Sequence, residues 1–223
     1  MKLYTFDGSP TSRVVLLFCA EEDIAFEKVD IDLLAGAHLS ESFKSINPCS
    51  FVPVLQDGDF RLTESSSVLK YLADKHESKF YPRDLERRAK IHEVMDWLNT
   101  SLYRVMAYSF IYPQIYAHHR RESQEINSAT IAWGRERTLE YLKLLDQHWL
   151  GDRRFLCGDE MTLADFFGAP LLGQLDLIHA SLSPFPNVTR WMSQMRQLGT
   201  WNAVHAMHAG YASSLSDREF VGL

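Results

Sequence analysis

The sequence predicts an α/β domain over residues 1–79 followed by an all-helical domain over 86–223. Three observations carry this prediction. Short strand signals alternate with helical ones up to Lys79, and a Tyr81-Pro82 break follows. Beyond the break, every periodic segment has helical spacing. At about 150 residues per domain, 223 residues suit one large or two small domains.

The elements follow in order. Lys2 to Phe6 is rich in β-favouring residues and ends in the turn cluster Asp7 to Pro10. A helix is predicted over Val14 to Glu22, then a second strand over Phe26 to Ile31. After a loop from Asp32 to Gly36, Leu39 to Ile46 reads as a short helix. Val52 to Gln56 is a third strand, and Asp57-Gly58-Asp59 turns it into a fourth at Phe60 to Leu62. Glu64 to His76 is a helix burying Val68, Leu69 and Leu72. This βα-βα-ββα order predicts a small mixed sheet with helices on both faces. In the second half, Leu85 to about Tyr116 reads as one long helix bending near Pro113. Ser123 to Leu150, Leu163 to Ala180, Asn187 to Leu198 and Trp201 to Ala209 follow as helices. Ser213 to Leu223 lacks apolar periodicity and reads as a tail.

Composition narrows the function. Residues are 46% hydrophobic and 23% charged, as in globular domains. No apolar run is long enough to span a membrane. A net charge of −6 argues against nucleic acid or an anionic membrane as partner. Three scattered cysteines without a CxxC pair, and no secretory leader pattern, point to a reducing cytoplasm. Metal spacing is absent. His118-His119 lies in a polar stretch, and His205 with His208 lacks a third ligand and reads as surface.

Three local features carry chemistry. Ser9 to Arg13 lies between the first strand and the first helix. A hydroxyl there either caps the helix or helps its positive end hold a thiolate. Val52-Pro53 opens a strand, and a cis bond would turn the Val52 backbone toward a peptide alongside; the plain alternative is a strand-initiating proline. Glu64-Ser65 precedes a helix, where it suits either a cap or the carboxylate and ammonium of an amino acid.

Together, these features resemble the cytosolic glutathione transferases over essentially the whole chain. The resemblance rests on Lys2 to Tyr4, Ser9 to Arg13, Asn47-Pro48, Val52-Pro53, Asp57 to Asp59 and Thr63 to Ser65. In the helical half it rests on Phe155 to Gly158 and Met161 to Phe166. Thr162 and Asp165 have capping-box spacing, so Asp165 reads as structural. The stretch Asp32 to Leu39 is similar to the theta-like bacterial branch.

The resemblance implies a thioredoxin-like first domain, glutathione as co-substrate, a small-molecule electrophile and a homodimer. It assigns Ser9 to the glutathione sulfur, with Thr11 and Ser12 as fallback donors. His38 would meet the glycyl end, Val52 and Pro53 the cysteinyl backbone, and Glu64 and Ser65 the γ-glutamyl end. The electrophile would sit between the halves against Tyr103, Arg104 and Phe110. Phe51 departs from the family pattern, which often has Lys or Gln there. Phe51 and the tail favour the alternative reading, a protein-binding scaffold that kept the fold without its activity. Cys49 sits in a loop near the implied site and is the thiol to watch for oxidation, while Cys19 reads as buried and inert.

Overall fold

The computed structural model describes residues 1–223. Four strands form one sheet in the order β2-β1-β3-β4. They are β1 (Lys2–Thr5), β2 (Glu27–Asp30), β3 (Val54–Asp57) and β4 (Phe60–Leu62). β1 pairs parallel with β2 and antiparallel with β3, which pairs antiparallel with β4. The two-residue period sorts the side chains between the faces. Leu3 lies opposite Leu55, and both join the main core. Their neighbours Tyr4 and Val54 are also opposite each other and pack with Phe43 on the other face.

Helix α1 (Pro10–Glu21) starts four residues before the predicted Val14. Ser9 caps it by accepting from Ser12 N, and Pro10 is set for the first turn, where its missing N–H costs nothing. Val14, Val15, Leu17 and Phe18 are fully buried. The predicted Leu39–Ile46 helix is instead a 3₁₀ turn at Ala37–Leu39 and a short α2 (Glu41–Lys44), which Ser40 caps. α2 places Phe43 under the sheet. α3 (Ser65–Lys75) packs beside α1 on the main-core face.

The second half is helical. α4 (Leu85–Trp97) continues through widened π turns at Leu98–Tyr103 and Met106–Ile111 into α5 (Tyr112–Ile115). α6 (Gln124–Leu144) crosses this path at Gly134. A Cβ there would lie 2.5 Å from the Ser109 backbone, so only glycine allows the approach. α7 (Leu163–Leu172) is buried along its whole length. It ends sooner than predicted, carrying Pro170 inside its last turn, and the chain tightens into a 3₁₀ turn at Gly173–Ile178. α8 (Pro186–Arg196) takes its cap from a distant residue: Asp146 Oδ1 accepts from Asn187 N and Val188 N.

One apolar core runs through both halves, from Leu3 to Leu215. Phe166 on α7 meets Phe18 of α1 and Phe80 edge-on at 5.5 and 4.8 Å. The sheet half is thus seated on α7. Asp165 anchors α7 in turn. Its carboxylate accepts from Leu156 N (3.0 Å), Thr162 N (2.8 Å), Thr162 Oγ1 (3.1 Å) and Trp191 Nε1 (2.9 Å). The capping box is complete, and Asp165 is structural.

α9 (Trp201–Ser214) corrects two expectations. His205 and His208 are not at the surface; each is only 5% exposed. α9 packs against the Gly173–Ile178 turn and α1, which covers that face. His205 stacks on Trp201 at 3.7 Å and donates through Nδ1 to its carbonyl, while His208 Nε2 donates to Gly173 O. The residues after α9 are also tied down. Gln114 holds the Val221 N–H and C=O, and Arg135 Nε donates to Gly222 O.

Burial pushes both histidines down to about 3, with the Arg13 charge adding to the effect. Unfolded histidine titrates near 6.5, so the unfolded chain binds the extra protons. Stability is therefore expected to be full above pH 6.5 and to fall as pH drops toward 3, by about 2 kcal/mol per histidine at pH 5. Urea midpoints at pH 7 and 5 in the wild type and His208→Gln check this. The variant should lose about half the pH dependence, and an unchanged slope would exclude His208 as a source.

Candidate active site

Three chain segments meet where β1, β3 and α1 end or begin. After β1, the Asp7-Gly8 turn drops Ser9 at the mouth of α1, with Ser9 N donating to Phe6 O at 2.9 Å. The Val52-Pro53 peptide is cis. Thr11 Oγ1 donates to Val52 O at 3.0 Å, so the start of α1 and the segment leading into β3 are hydrogen-bonded directly. The Val52 N–H has no hydrogen bond within the chain.

The three hydroxyls of the loop differ in what they can still do. Thr11 has its hydrogen on the Val52 carbonyl. Ser12 is fully buried and accepts from Phe6 N at 3.4 Å. Ser9 Oγ accepts from Ser12 N at 3.3 Å and lies 3.0 Å from Thr11 Oγ1. Since the hydrogen of Thr11 is committed, that of Ser9 either goes to the Thr11 oxygen or turns to an incoming acceptor. Ser9 therefore caps the helix, and its hydrogen, at the positive end of the α1 dipole, can turn from the Thr11 oxygen to another acceptor.

Glu64 and Ser65 stand at the start of α3. Glu64 has φ +63°, a left-handed value unusual for a residue with a side chain. Strain of this kind persists where the surrounding structure enforces it, often at binding sites. It leaves the Glu64 side chain exposed and free of any capping bond. Ser65 is buried in the first helical turn, where backbone N–H groups lack intrahelical partners. His38 lies in the 3₁₀ turn, half-buried, with Nδ1 unpartnered. Phe51 is 68% exposed and offers no polar group; its carbonyl is held by Asn47 Nδ2.

The residues expected to line the electrophile pocket fall in different places. Tyr103 is buried, with its hydroxyl 3.1 Å from that of Tyr112. Arg104 is exposed, and no salt bridge holds it. Phe110 is fully buried in the core, so its ring packs the helices and forms no wall. An aromatic run missed by sequence reasoning extends along this side. Tyr108, Tyr112, Tyr116 and His119 meet at centroid distances of 5.1–6.0 Å, and Tyr211 of α9 stacks on Tyr116 at 6.2 Å. Of the thiols, Cys19 is buried and pushed up to about 12 by burial, whereas Cys49 is exposed. No helix is long and apolar enough to cross a membrane.

Comparison with known proteins agrees with this geometry over both halves. The glutathione S-transferase N-terminal domain family model matches residues 3–80, and the C-terminal domain model matches residues 113–193. Mouse glutathione S-transferase theta-2 is 33% identical over 202 residues, covering 87% of this chain and 80% of that protein. Human theta-1 is 34% identical over 171 residues, 74% of this chain and 69% of that protein. Among solved structures, apo human glutathione S-transferase T1-1 superposes with a TM-score of 0.83 at 28% identity, covering 95% of this chain and 90% of that one. Human theta-2, in complex with glutathione and an unknown ligand, gives 0.82 at 27% identity, covering 100% and 93%. The chain therefore belongs to the glutathione S-transferase family of enzymes, through both of its halves.

Proposed function

We propose that this enzyme binds reduced glutathione along the strip from Ser9 through Val52 to Glu64 and Ser65, and holds its thiolate with the Ser9 hydroxyl. The observation that carries this is the uneven commitment of the three hydroxyls, which leaves Ser9 with a redeployable hydrogen. The Ser12 N–H on its oxygen polarises that O–H bond and makes Ser9 a stronger donor. The cysteinyl backbone pairs with Val52 N–H and C=O. The first-turn N–H groups of α3 and the Ser65 hydroxyl take the γ-glutamyl carboxylate, and Glu64 takes its ammonium. His38 meets the glycyl end.

Catalysis then has two sources. Ser9 and the α1 dipole favour the thiolate over the thiol, so more of the bound glutathione is nucleophilic at neutral pH. The cleft holds a small electrophile beside the sulfur, which removes most of the entropic cost of bringing the two together. The sulfur lone pair forms the new S–C bond, the leaving group departs with its bonding pair, and the thiol proton goes to solvent.

Calorimetric titration of glutathione, with thiolate absorbance of the complex followed against pH, tests this reading. Micromolar to low-millimolar binding with a thiol pKa below about 8.5 is expected. No binding, or a bound thiol that titrates like free glutathione, would sink it. We also propose a homodimer, consistent with family resemblance and with C2 as the commonest symmetry. Light scattering should give twice 25.7 kDa, and a monomer mass at assay concentration would refute the dimer.

A further inference from the structure

A cavity of about 480 Å³ opens at β2, the outer strand on the opposite side of β1 from β3. It is enclosed by α1, the turn that leads into β2, and the first turn of α9. Ile24 is buried at its floor, whereas Asp23, Lys28 and Ala203 are exposed at its mouth, so the space has a way in from solvent. Leu16, Phe26 and Val204 form half-buried apolar walls. Sites of this size and lining take small organic molecules.

The charges at the mouth do not balance. Lys28 Nζ is held by Asp7 Oδ2 at 2.7 Å and by Asp30 Oδ1 at 3.1 Å, so its charge is more than neutralised. Asp23 also lines the cavity, and its carboxylate is in no ion pair. It stands just beyond the end of α1, whose last turn carries no basic side chain. The carbonyls of Ala20 and Glu21 accept no backbone hydrogen bond there, and the negative end of the α1 dipole adds to the Asp23 charge. An apolar chamber thus has a negative rim with no cation left to satisfy it.

We propose that this cavity binds small amphipathic amines, with the apolar body between Leu16, Phe26 and Val204 and the ammonium at Asp23 and the end of α1. Taking the apolar body out of water is favourable, and the ammonium occupies the place that a lysine or arginine would fill in the last turn of a helix. Its three N–H donors suit the Asp23 carboxylate together with the free helix carbonyls. A neutral molecule of the same shape keeps only the apolar part of this stabilisation. Val52, Glu64 and Ser65 do not line the cavity, so the site is separate from the strip assigned to glutathione and does not depend on the transferase reading.

Calorimetry on the full chain at neutral pH compares 2-phenylethylamine with 2-phenylethanol, which replaces the ammonium by a neutral hydroxyl. The amine is expected to bind about tenfold more tightly in the wild type. Asp23→Asn should remove most of that preference and leave the alcohol unchanged, because asparagine tolerates the left-handed φ of +51° at this position without bringing a charge. Val204→Trp should fill the cavity and weaken both ligands severalfold. Saturating S-methylglutathione should leave the affinity for the amine essentially unchanged. Equal affinity for amine and alcohol overturns the proposal, as does failure of both to bind at millimolar concentration. A preference that survives Asp23→Asn, or undiminished binding to folded Val204→Trp, places the amine elsewhere and also overturns it. Competition by S-methylglutathione would put the amine in the transferase site instead, which refutes a separate one while leaving the glutathione reading intact.

Discussion

Replacing Ser9 with alanine is expected to lower kcat/KM at pH 7 by about 10- to 100-fold, which corresponds to losing a charge-assisted hydrogen bond worth about 1.5–3 kcal/mol. The same loss should raise the pKa of the bound thiol by about one to two units. Glutathione affinity should change little, because Val52, Glu64 and Ser65 remain. Ser9 is also the α1 cap, so the variant should lose about 1 kcal/mol of stability. A folded fraction measured at the assay temperature separates that cost from catalysis. Thr11→Val is the informative control. It breaks the 3.0 Å link to Val52 O but removes no donor that was free for sulfur. If Ser9→Ala leaves the bound thiol pKa unmoved while Thr11→Val raises it, the sulfur partner is Thr11 and the assignment is wrong.

The largest effect on stability is expected at Asp165. Four donors converge on a fully buried carboxylate there, two from the backbone, one from the Thr162 hydroxyl and one from the Trp191 indole. Asp165→Ala strands all four in a dry interior and opens a gap at the start of α7. Each stranded donor costs about 1–3 kcal/mol when water cannot reach it, and partial relaxation brings the total to about 4 kcal/mol. Because α7 also seats Phe18 of the sheet half, the loss should appear as one cooperative transition at lower denaturant, followed by both tryptophan fluorescence and circular dichroism. Asp165→Asn keeps the shape and two acceptor bonds but turns an NH₂ toward Thr162 N, so about half the loss is expected. A shift below about 1 kcal/mol for the alanine variant would show that water replaces the carboxylate.

As helix caps, Ser9 and the Thr162–Asp165 pair were legible in the sequence because capping is local. Ser9 precedes Pro10 at a turn into an apolar helical run, and Thr162 stands three residues before Asp165; both patterns are complete within a few positions. The sheet was legible for a similar reason. Alternation along Lys2 to Phe6 and Val52 to Gln56 sorts side chains between two faces, and the Asp57-Gly58-Asp59 turn sets the register of β4.

The pair Tyr103 and Tyr112 shows where local reading stops. Nine residues of regular α-helix make two and a half turns and place them on opposite faces. The widened turn at Met106–Ile111, which lies between them, brings them round toward the same side, with their hydroxyls 3.1 Å apart. Nothing in the residue spacing announces that turn. His205 and His208 share a face by their i, i+3 spacing, yet spacing does not say whether water or another helix covers it. α9 lying on the Gly173–Ile178 turn made them buried and neutral. Phe110 was placed on the right helix and on the wrong side of it for the same reason.

By itself, the sequence determined the two-part architecture, the caps at Ser9 and Thr162 and the turn that joins β3 to β4. Each of these depends on periodicity or on neighbours a few residues away. Only the tertiary structure committed the Thr11 hydrogen, since that depends on the carbonyl of Val52, 41 positions from Thr11. It also decided that Arg13 is buried with no hydrogen-bond partner for its guanidinium. Burial and charge compensation are set by what distant elements bring against a side chain, and no run of neighbouring residues encodes that.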